Sequence, residues 1–249
     1  MQAAERIARE RDFHNQRFAD NSERETRTRR FYDAIAYGFE EFRKRVTAAS
    51  RGRCVLEYGC GDEIMAFDLA HTARQVTGID ISDVAIHQAE RTAAQKNLPN
   101  VKFHVDNAED MHLADGSVDV VIGSGIIHHL DIPKAVQELR RVLREGGVAI
   151  FAEPMGHNPA VNWYRNRTPE LRTPDEHPLL VRDLRQIAKE FTSSHVTYFG
   201  LIAPALGVFS SHVKRESWLT RTIWWLDRGL CRVPFLNRYA WFCYFELRV

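Results

Sequence analysis

Apolar residues follow two different spacings along this chain. A short apolar run at residues 55–58 stops at glycine, as a buried parallel strand does, and the residues after it have the three-to-four spacing of a covering helix. Ser82 and Asp131 precede further stretches of helical spacing and are residue types that cap helices. Strands alternating with helices predict a parallel sheet covered on both faces, with ligands at the carboxyl ends of the strands.

The N-terminal residues 1–46 form a separate, highly charged part of the pattern. Phe31, Ile35, Phe39 and Phe42 are spaced as one apolar helix face. We interpret this part as a helical N-terminal lid, and we expect the segment from Arg30 to Phe42 to fold over a bound ligand and exclude water.

Residues 47–249 are predicted to form one domain, with a core at 53–155 and substrate-side loops, an insertion and the final strands at 156–249. Beyond the core, the pattern predicts a helix at about 178–191, strands at 195–199 and 240–247, and between these strands an insertion at about 200–236 that is rich in tryptophan and arginine.

A glycine turn follows the first apolar run. Gly59 and Gly61 would let the backbone approach a ligand closely, and Asp80 lies about twenty residues further on, where a carboxylate binds two ribose hydroxyls. A dinucleotide fingerprint would need a third glycine where this chain has Ile64, which counts against NAD or FAD. The turn therefore predicts an adenosine cofactor without a pyrophosphate.

Five ordered motifs carry a resemblance to a known family. They are Val55–Gly61, Val76–Ser82, Phe103–Ala108, Val118–Leu130 and Arg141–Pro154. This set resembles the class I S-adenosylmethionine-dependent methyltransferases, in particular the small-molecule group that includes quinone-biosynthesis enzymes. The resemblance implies an α/β fold with a Rossmann-like, seven-stranded, mostly parallel sheet, an antiparallel last strand and helices on both faces.

The resemblance also implies S-adenosyl-L-methionine as the cofactor. Asp80 would bind the ribose, Asp106 would accept from the adenine amino group or cap a local turn, and Glu57 would orient the turn or the methionine amino group. The full set of predicted cofactor residues is Glu57, Tyr58, Gly59, Cys60, Gly61, Asp80, Ile81, Asp106, Asn107, Ala108, Ser124 and Gly125.

Methyl transfer from a sulfonium is an in-line displacement, so the protein chiefly positions a nucleophile and, for some acceptors, removes a proton. His128, His129, Glu153 and His157 are the candidate catalytic residues near the ends of the fourth and fifth strands. Each has a structural alternative: a histidine can satisfy backbone groups, Glu153 can anchor the loop after it, and His157 can belong to a lid.

One position departs from the family pattern. Many members have glycine two residues after the position of Gly61, where this chain has Asp62 followed by Glu63. Acids there favour the helix dipole, which makes the change tolerable. The alternative is a crowded methionine pocket and a protein that binds the cofactor without catalysis.

Composition narrows the function further. The chain has 249 residues and a formal net charge of +1, which gives no general argument for nucleic acid. The four cysteines have no spacing that suggests zinc, so no metal is predicted. With no apolar signal core and no long apolar run, the expected localisation is cytoplasmic.

The insertion contains a second amphipathic stretch at 214–230, and residues 212–230 are the candidate contact with a membrane or with a second copy of the chain. An apolar stripe there would pack on the sheet or on a second copy of the chain, cover an apolar substrate, or contact a membrane peripherally. Its members are Trp218, Leu219, Ile223, Trp225, Leu226 and Leu230, with Lys214, Arg215, Arg221 and Arg228 beside them.

The sequence thus predicts methyl transfer to a small, partly apolar acceptor and leaves open whether O, N, S or C is methylated. Two alternatives remain: a non-catalytic S-adenosylmethionine-binding partner or sensor, and an RNA methyltransferase, for which no nucleic-acid motif is found. Arg165, Arg167 and Arg172, beside Trp163 and Tyr164, would hold an acidic group of the acceptor or simply form a solvated loop.

Overall fold

The computed structural model describes residues 2–19, 23–62, 64–169, 173, 175–210 and 212–249. Its strands are β1 Cys54–Tyr58, β2 Gln75–Asp80, β3 Val101–Val105, β4 Val118–Ser124, β5 Leu143–Pro154, β6 Ser193–Phe199 and β7 Phe242–Arg248. Its helices are α1 Gln2–Ala19, α2 Glu23–Ala34, α3 Ala36–Ser50, α4 Ala66–Leu69, α5 Asp83–Gln95, α6 Ile132–Val142, α7 Pro159–Asn166, α8 Val181–Lys189, α9 Ala205–Phe209 and α10 Trp218–Leu230.

The seven strands form one sheet in the order β3-β2-β1-β4-β5-β7-β6. β7 is antiparallel to both of its neighbours, and the other pairs are parallel. The predicted fold class is therefore confirmed, including the antiparallel last strand. The strand order reverses direction between β1 and β4, and this switch point opens a ligand crevice at the carboxyl ends of these two strands.

The apolar face predicted for the lid lies in the core instead. Phe42 in α3 is buried against Tyr244 of β7, and Phe39 contacts Phe199 and Phe242 with ring centroids 5.3 and 5.2 Å apart. Because these aromatic rings bury each other, residues 36–46 pack as part of the domain rather than as a cover over the strand ends.

A buried carboxylate fixes α10 to the end of β6. Asp227 is fully buried, and it accepts hydrogen bonds from the backbone N–H groups of residues 200–203 and from the Tyr37 hydroxyl. One face of α10 must therefore point inward at Asp227. Among the described residues, we find no helix whose length and apolar content would let it span a bilayer.

Candidate functional site

The glycine turn after β1 has the backbone that close ligand approach requires. Gly59 and Gly61 have φ angles of +69° and +50°, which an L side chain rarely adopts. A Cβ on Gly59 would lie 2.7 Å from the Ile126 side chain, and the Phe18 ring of α1 lies beside Gly61. This turn thus lies between the loop after β4 and the N-terminal helix.

Glu57, at the end of β1, holds the segment that follows the turn. Its two carboxylate oxygens accept from the Met65 and Ala66 N–H groups at 2.7 and 2.8 Å, where α4 begins. Burial raises the pKa of Glu57 from 4.5 to about 7, although these two hydrogen bonds oppose the rise. In the structure Glu57 therefore orients the turn.

The raised pKa of Glu57 predicts a pH dependence of stability. The folded chain holds this proton more tightly than the unfolded chain, so the wild-type protein should lose free energy of unfolding as the pH rises from about 4.5 to about 7. The side chain in Glu57→Gln does not ionise. The free energy of unfolding of wild type, relative to that of Glu57→Gln, should therefore fall by about 1–2 kcal/mol over this pH range. Urea unfolding across this window measures the shift, and a constant difference would contradict it.

Asp80 ends β2 at the same edge of the sheet. Its carboxylate accepts from the N–H groups of Gly61 and Ser82 at 2.9 and 2.8 Å, and burial raises its pKa. Each carboxylate oxygen has a second lone pair, so Asp80 can also accept hydrogen bonds from the two hydroxyl groups of a ribose. Asp80 therefore joins the glycine turn to the start of α5 and faces the crevice.

Asp106, after β3, is engaged within its own loop. Its oxygens accept from the backbone N–H groups of Asn107 and His112 and lie against the His112 ring. The Asn107 side chain accepts from the Glu109 N–H, and the Ala108 carbonyl accepts from the hydroxyl of buried Tyr58. The structure thus shows the turn-capping role of Asp106, and an adenine role stays a prediction.

The remaining predicted cofactor residues lie around the same crevice. Cys60 is buried, and its backbone N–H donates to the Ile79 carbonyl at the end of β2, while Ile81 is half-buried just after β2. Ser124 is exposed at the end of β4. Gly125 follows it with a φ angle of +67°.

Glu153 and His128 form a buried pair at the ends of β5 and β4. One oxygen of Glu153 accepts from the Ile126 and Ile127 N–H groups, both at 2.9 Å, and the other lies 2.7 Å from His128 Nδ1. Glu153 is fully buried. These contacts make it the residue that positions the loop after β4 and orients the His128 ring.

His129 lies beneath α1, next to the buried carboxylate of Glu10. Its Nδ1 is 3.2 Å from Glu10 Oε2, and His14 Nε2 is 3.5 Å from the same oxygen. Glu10 is only 5% exposed, yet neither of its oxygens has a hydrogen-bond partner of acceptable geometry among the described residues. Burial, together with the neighbouring His128, lowers the pKa of His129, which favours the neutral imidazole.

A second carboxylate closes the other side of this cluster. Glu176 Oε1 lies 3.8 Å from His128 Nε2 and 2.7 Å from the Arg165 guanidinium, and its side chain is buried. Two groups, Glu10 with His14 and His129, and His128 with His129 and Glu176, have their ligand-type atoms within 4.8 Å of one another. Such spacing would suit a cation, so the predicted lack of a metal stays a prediction.

Part of this chain is similar to known methyltransferases. The model of a methyltransferase domain matches residues 56–151. A probable S-adenosylmethionine-dependent methyltransferase of Mycolicibacterium smegmatis is 36% identical over 112 residues, 45% of this chain and 42% of that protein. A demethylmenaquinone methyltransferase of Chlorobaculum parvum is 30% identical over 139 residues, 51% of this chain and 58% of that protein.

The chain thus spans about half the length of these curated relatives. In fold, it resembles the crystal structure of the YcgJ protein from Bacillus subtilis, with a TM-score of 0.54 at 18% identity over 84% of this chain and 96% of that one. Residues 56–151 of this chain therefore form a methyltransferase domain.

The side chains of two further histidines do not belong to the cluster. His157 Nε2 accepts from the Val181 N–H at 3.1 Å, where α8 begins, and burial lowers its pKa. His177 is exposed, and its backbone N–H donates to the His128 carbonyl. His157 therefore helps to place α8 in the structure, and its catalytic role stays a prediction.

Of the two acids that depart from the family pattern, Asp62 and Glu63, the structure describes Asp62. Asp62 lies 4.0 Å from the Arg17 guanidinium of α1. Glu63 and Arg172 lie outside the described residues. Whether the acids affect the methionine pocket therefore remains a prediction.

Sequence reasoning missed the residues that α1 contributes to the site. Arg6 donates to the His129 carbonyl and pairs with Glu109, while Glu10, His14 and Phe18 contact the cluster and the glycine turn. These four residues recur at intervals of four, so they lie along one helix face. The signal that could have revealed this face of α1 was the recurrence, every four residues, of a charged, a titratable or an aromatic side chain.

Proposed function

We propose that this chain transfers the methyl group of S-adenosyl-L-methionine to a small, partly apolar acceptor. The observation that carries the proposal is the buried Glu10 carboxylate beside the neutral His129 imidazole, under α1 and next to the glycine turn. The Glu10 carboxylate lies 3.2 Å from Nδ1 of His129, which leaves Nε2 of the neutral ring to accept a proton from an acceptor hydroxyl or amine.

The residues at the switch point fit the cofactor. Gly59 and Gly61 let the chain approach the methionine part, and Asp80 presents free lone pairs to the ribose hydroxyls at the next strand end. When bound, the cofactor supplies an electrophilic methyl group on a sulfonium. The protein would hold the acceptor in line with the sulfur–methyl bond and exclude water from the site.

His129 and Glu10 are the residues we assign to proton transfer. In this proposal the acceptor proton passes to Nε2 of His129, and the Glu10 carboxylate beside Nδ1 stabilises the imidazolium that forms. His128 and Glu153 hold the loop that carries His129. Arg165, paired with Glu176, borders the same cluster and would meet a polar end of the acceptor.

We also propose that α1 is the cover of the site. Its C-terminal half reaches the cofactor turn through Phe18 and its N-terminal half reaches the acceptor cluster through Glu10. Polar contacts help to attach it, among them Arg9 with Asp175 and Asn15 with Ser82. Such contacts permit opening and closing more readily than an apolar interface does.

Hydrogen exchange tests this cover. S-adenosylhomocysteine should slow amide exchange in α1 by about tenfold or more, because the ligand fills the space that α1 closes. Amides of α6, on another face of the sheet, serve as the control and should exchange at an unchanged rate. If exchange in α1 is the same with and without the ligand, α1 is permanently docked.

Two observations support a partly apolar small acceptor over the alternatives. One relative is named for a demethylmenaquinone, and the cluster beneath α1 is buried, as a small-molecule site would be. The second candidate, a cofactor-binding partner or sensor, rests on Asp62 and Glu63. Cytoplasmic localisation belongs to the same proposal.

Formation of S-adenosylhomocysteine separates an enzyme from a binder. The purified protein, given S-adenosylmethionine and a total metabolite extract, should form this product only when the extract is present. Cofactor binding without extract-dependent product would favour the sensor instead. The same assay with EDTA should show unchanged turnover, and a loss reversed by added metal would assign the Glu10 and His129 cluster to a cation.

A further inference from the structure

The face of α10 opposite Asp227 is apolar and exposed. Trp218 and Trp225 are 77% and 71% exposed, and Leu219 and Leu226 lie beside them on the same side of the helix. At about 100° per residue these four side chains span one continuous face. Thr220, Trp224 and Asp227 form the opposite, buried face.

This arrangement corrects the stripe expected from the sequence. The predicted stripe included Trp225 and omitted Trp224, but Trp224 is the indole that packs inward, with its N–H donating to the Ala34 carbonyl at 2.7 Å. Asp227 sets this rotation, because its carboxylate satisfies four backbone N–H groups at the end of β6. Of the alternatives that the sequence left open for the stripe, packing on the sheet therefore does not hold for the indoles of Trp218 and Trp225.

The insertion carries more exposed apolar side chains before and after α10 in the sequence. Phe209, at the end of α9, is 88% exposed, and Phe235, after α10, is 69% exposed with a φ angle of +62°. A left-handed backbone at a phenylalanine is strained, so the surrounding chain must hold it there. Val208 and Val233 are exposed as well.

The charge of this segment differs from that of the whole chain. Residues 205–238 contain six lysines and arginines and two acids, whereas the chain is nearly balanced at +1. One of those acids, Asp227, is buried, which leaves Glu216 as the exposed acid of the segment. Arg221 and Arg228 follow the two tryptophans by three residues each, so they border the apolar face.

We propose that the exposed face of α10, with Phe209 and Phe235, seats this protein on the surface of an anionic lipid bilayer. Tryptophans with bordering arginines match the boundary between acyl chains and headgroups, and the excess positive charge matches anionic lipid. A second copy of the chain fits less well, because a two-fold contact through this face would bring its arginines against their own copies.

Vesicle cosedimentation tests the proposal with the full chain and no cofactor, so the outcome is independent of the methyl-transfer activity. The wild-type protein should sediment with vesicles of phosphatidylcholine and phosphatidylglycerol, and less with phosphatidylcholine alone. Trp218→Ala combined with Trp225→Ala should weaken this binding by about tenfold or more. Arg232 is a further exposed arginine, two residues after the end of α10. Arg221→Gln combined with Arg232→Gln should weaken binding to anionic vesicles and reduce its salt dependence.

Two controls make the result decisive. Val105→Ser removes an exposed apolar side chain at β3, the sheet edge opposite β6, and should leave vesicle binding unchanged. Circular dichroism shows whether each variant is folded. Absence of wild-type binding to anionic vesicles would overturn the proposal. So would a wild-type dimer, seen by light scattering, that the double tryptophan variant dissociates, since the face would then belong to a second copy.

Discussion

A His129→Ala variant is expected to lose turnover by about 100-fold to 10,000-fold, the usual contribution of a positioned general base. The neutral imidazole lies beside the buried Glu10 carboxylate, so it can accept a proton and have the resulting charge stabilised. Cofactor affinity should stay within about twofold, because His129 is not among the predicted cofactor residues at the ends of β1 to β4. Initial rates at saturating cofactor and calorimetry of S-adenosylhomocysteine binding measure the two effects.

A remote histidine and the neighbouring Glu10 provide the comparisons for His129→Ala. His87→Ala changes an exposed histidine of α5 and should leave turnover unchanged. Glu10→Gln should lower turnover less than His129→Ala, since it removes the stabilising charge but keeps the base. Full turnover in a folded His129→Ala protein would refute the assignment and move His128 or His157 forward.

An Asp80→Ala variant is expected to bind the cofactor about 2–4 kcal/mol more weakly, which is roughly 30-fold to 1,000-fold. The loss has two sources: the hydrogen bonds from the ribose hydroxyls, and the tie that Asp80 makes between Gly61 and Ser82. Calorimetric titration with S-adenosylhomocysteine measures it.

Asp80→Asn separates these two sources. It keeps an oxygen for one of the backbone donors, so its loss of affinity should fall between those of wild type and Asp80→Ala. Asp68→Ala changes an exposed acid of α4 and serves as the control with unchanged affinity. Unchanged affinity in a folded Asp80→Ala protein would show that the carboxylate does not bind the cofactor.

The sheet could be predicted from the sequence because its signals are local. Each of the strands β1 to β4 ends at, or just before, a glycine or an acid, and the motif order indicates which strands neighbour the switch point. The predicted strands at 195–199 and 240–247 match β6 and β7 to within two residues. The glycine turn, Glu57 and Asp80 also lie together at one edge, as the motifs indicated.

The acceptor cluster could not be predicted in the same way. It is assembled from Glu10 of α1, the two histidines after β4 and Glu176, which are far apart in the sequence. No periodicity relates such segments, so only the tertiary fold brings them together. The candidates His128, His129 and Glu153 were found because they are adjacent to a motif, whereas Glu10 and His14 are not.

The orientation of two helices depended on partners that an apolar pattern does not show. α3 packs in the core because Phe199, Phe242 and Tyr244 line the sheet above it, so its apolar residues identify a core helix rather than a cover. α10 turns its polar Asp227 inward because four backbone N–H groups need an acceptor. Aromatic packing therefore set the buried face of α3, and the need of buried N–H groups for an acceptor set that of α10.

Transfer of a labelled methyl group tests the central claim most directly. The protein is incubated with S-adenosylmethionine that carries a labelled methyl group and, separately, with lipid-soluble metabolites, water-soluble metabolites and RNA. The account predicts that label enters a small molecule of the lipid-soluble pool, and that His129→Ala abolishes most of this incorporation. Label in RNA, or in no pool despite tight cofactor binding, would contradict it.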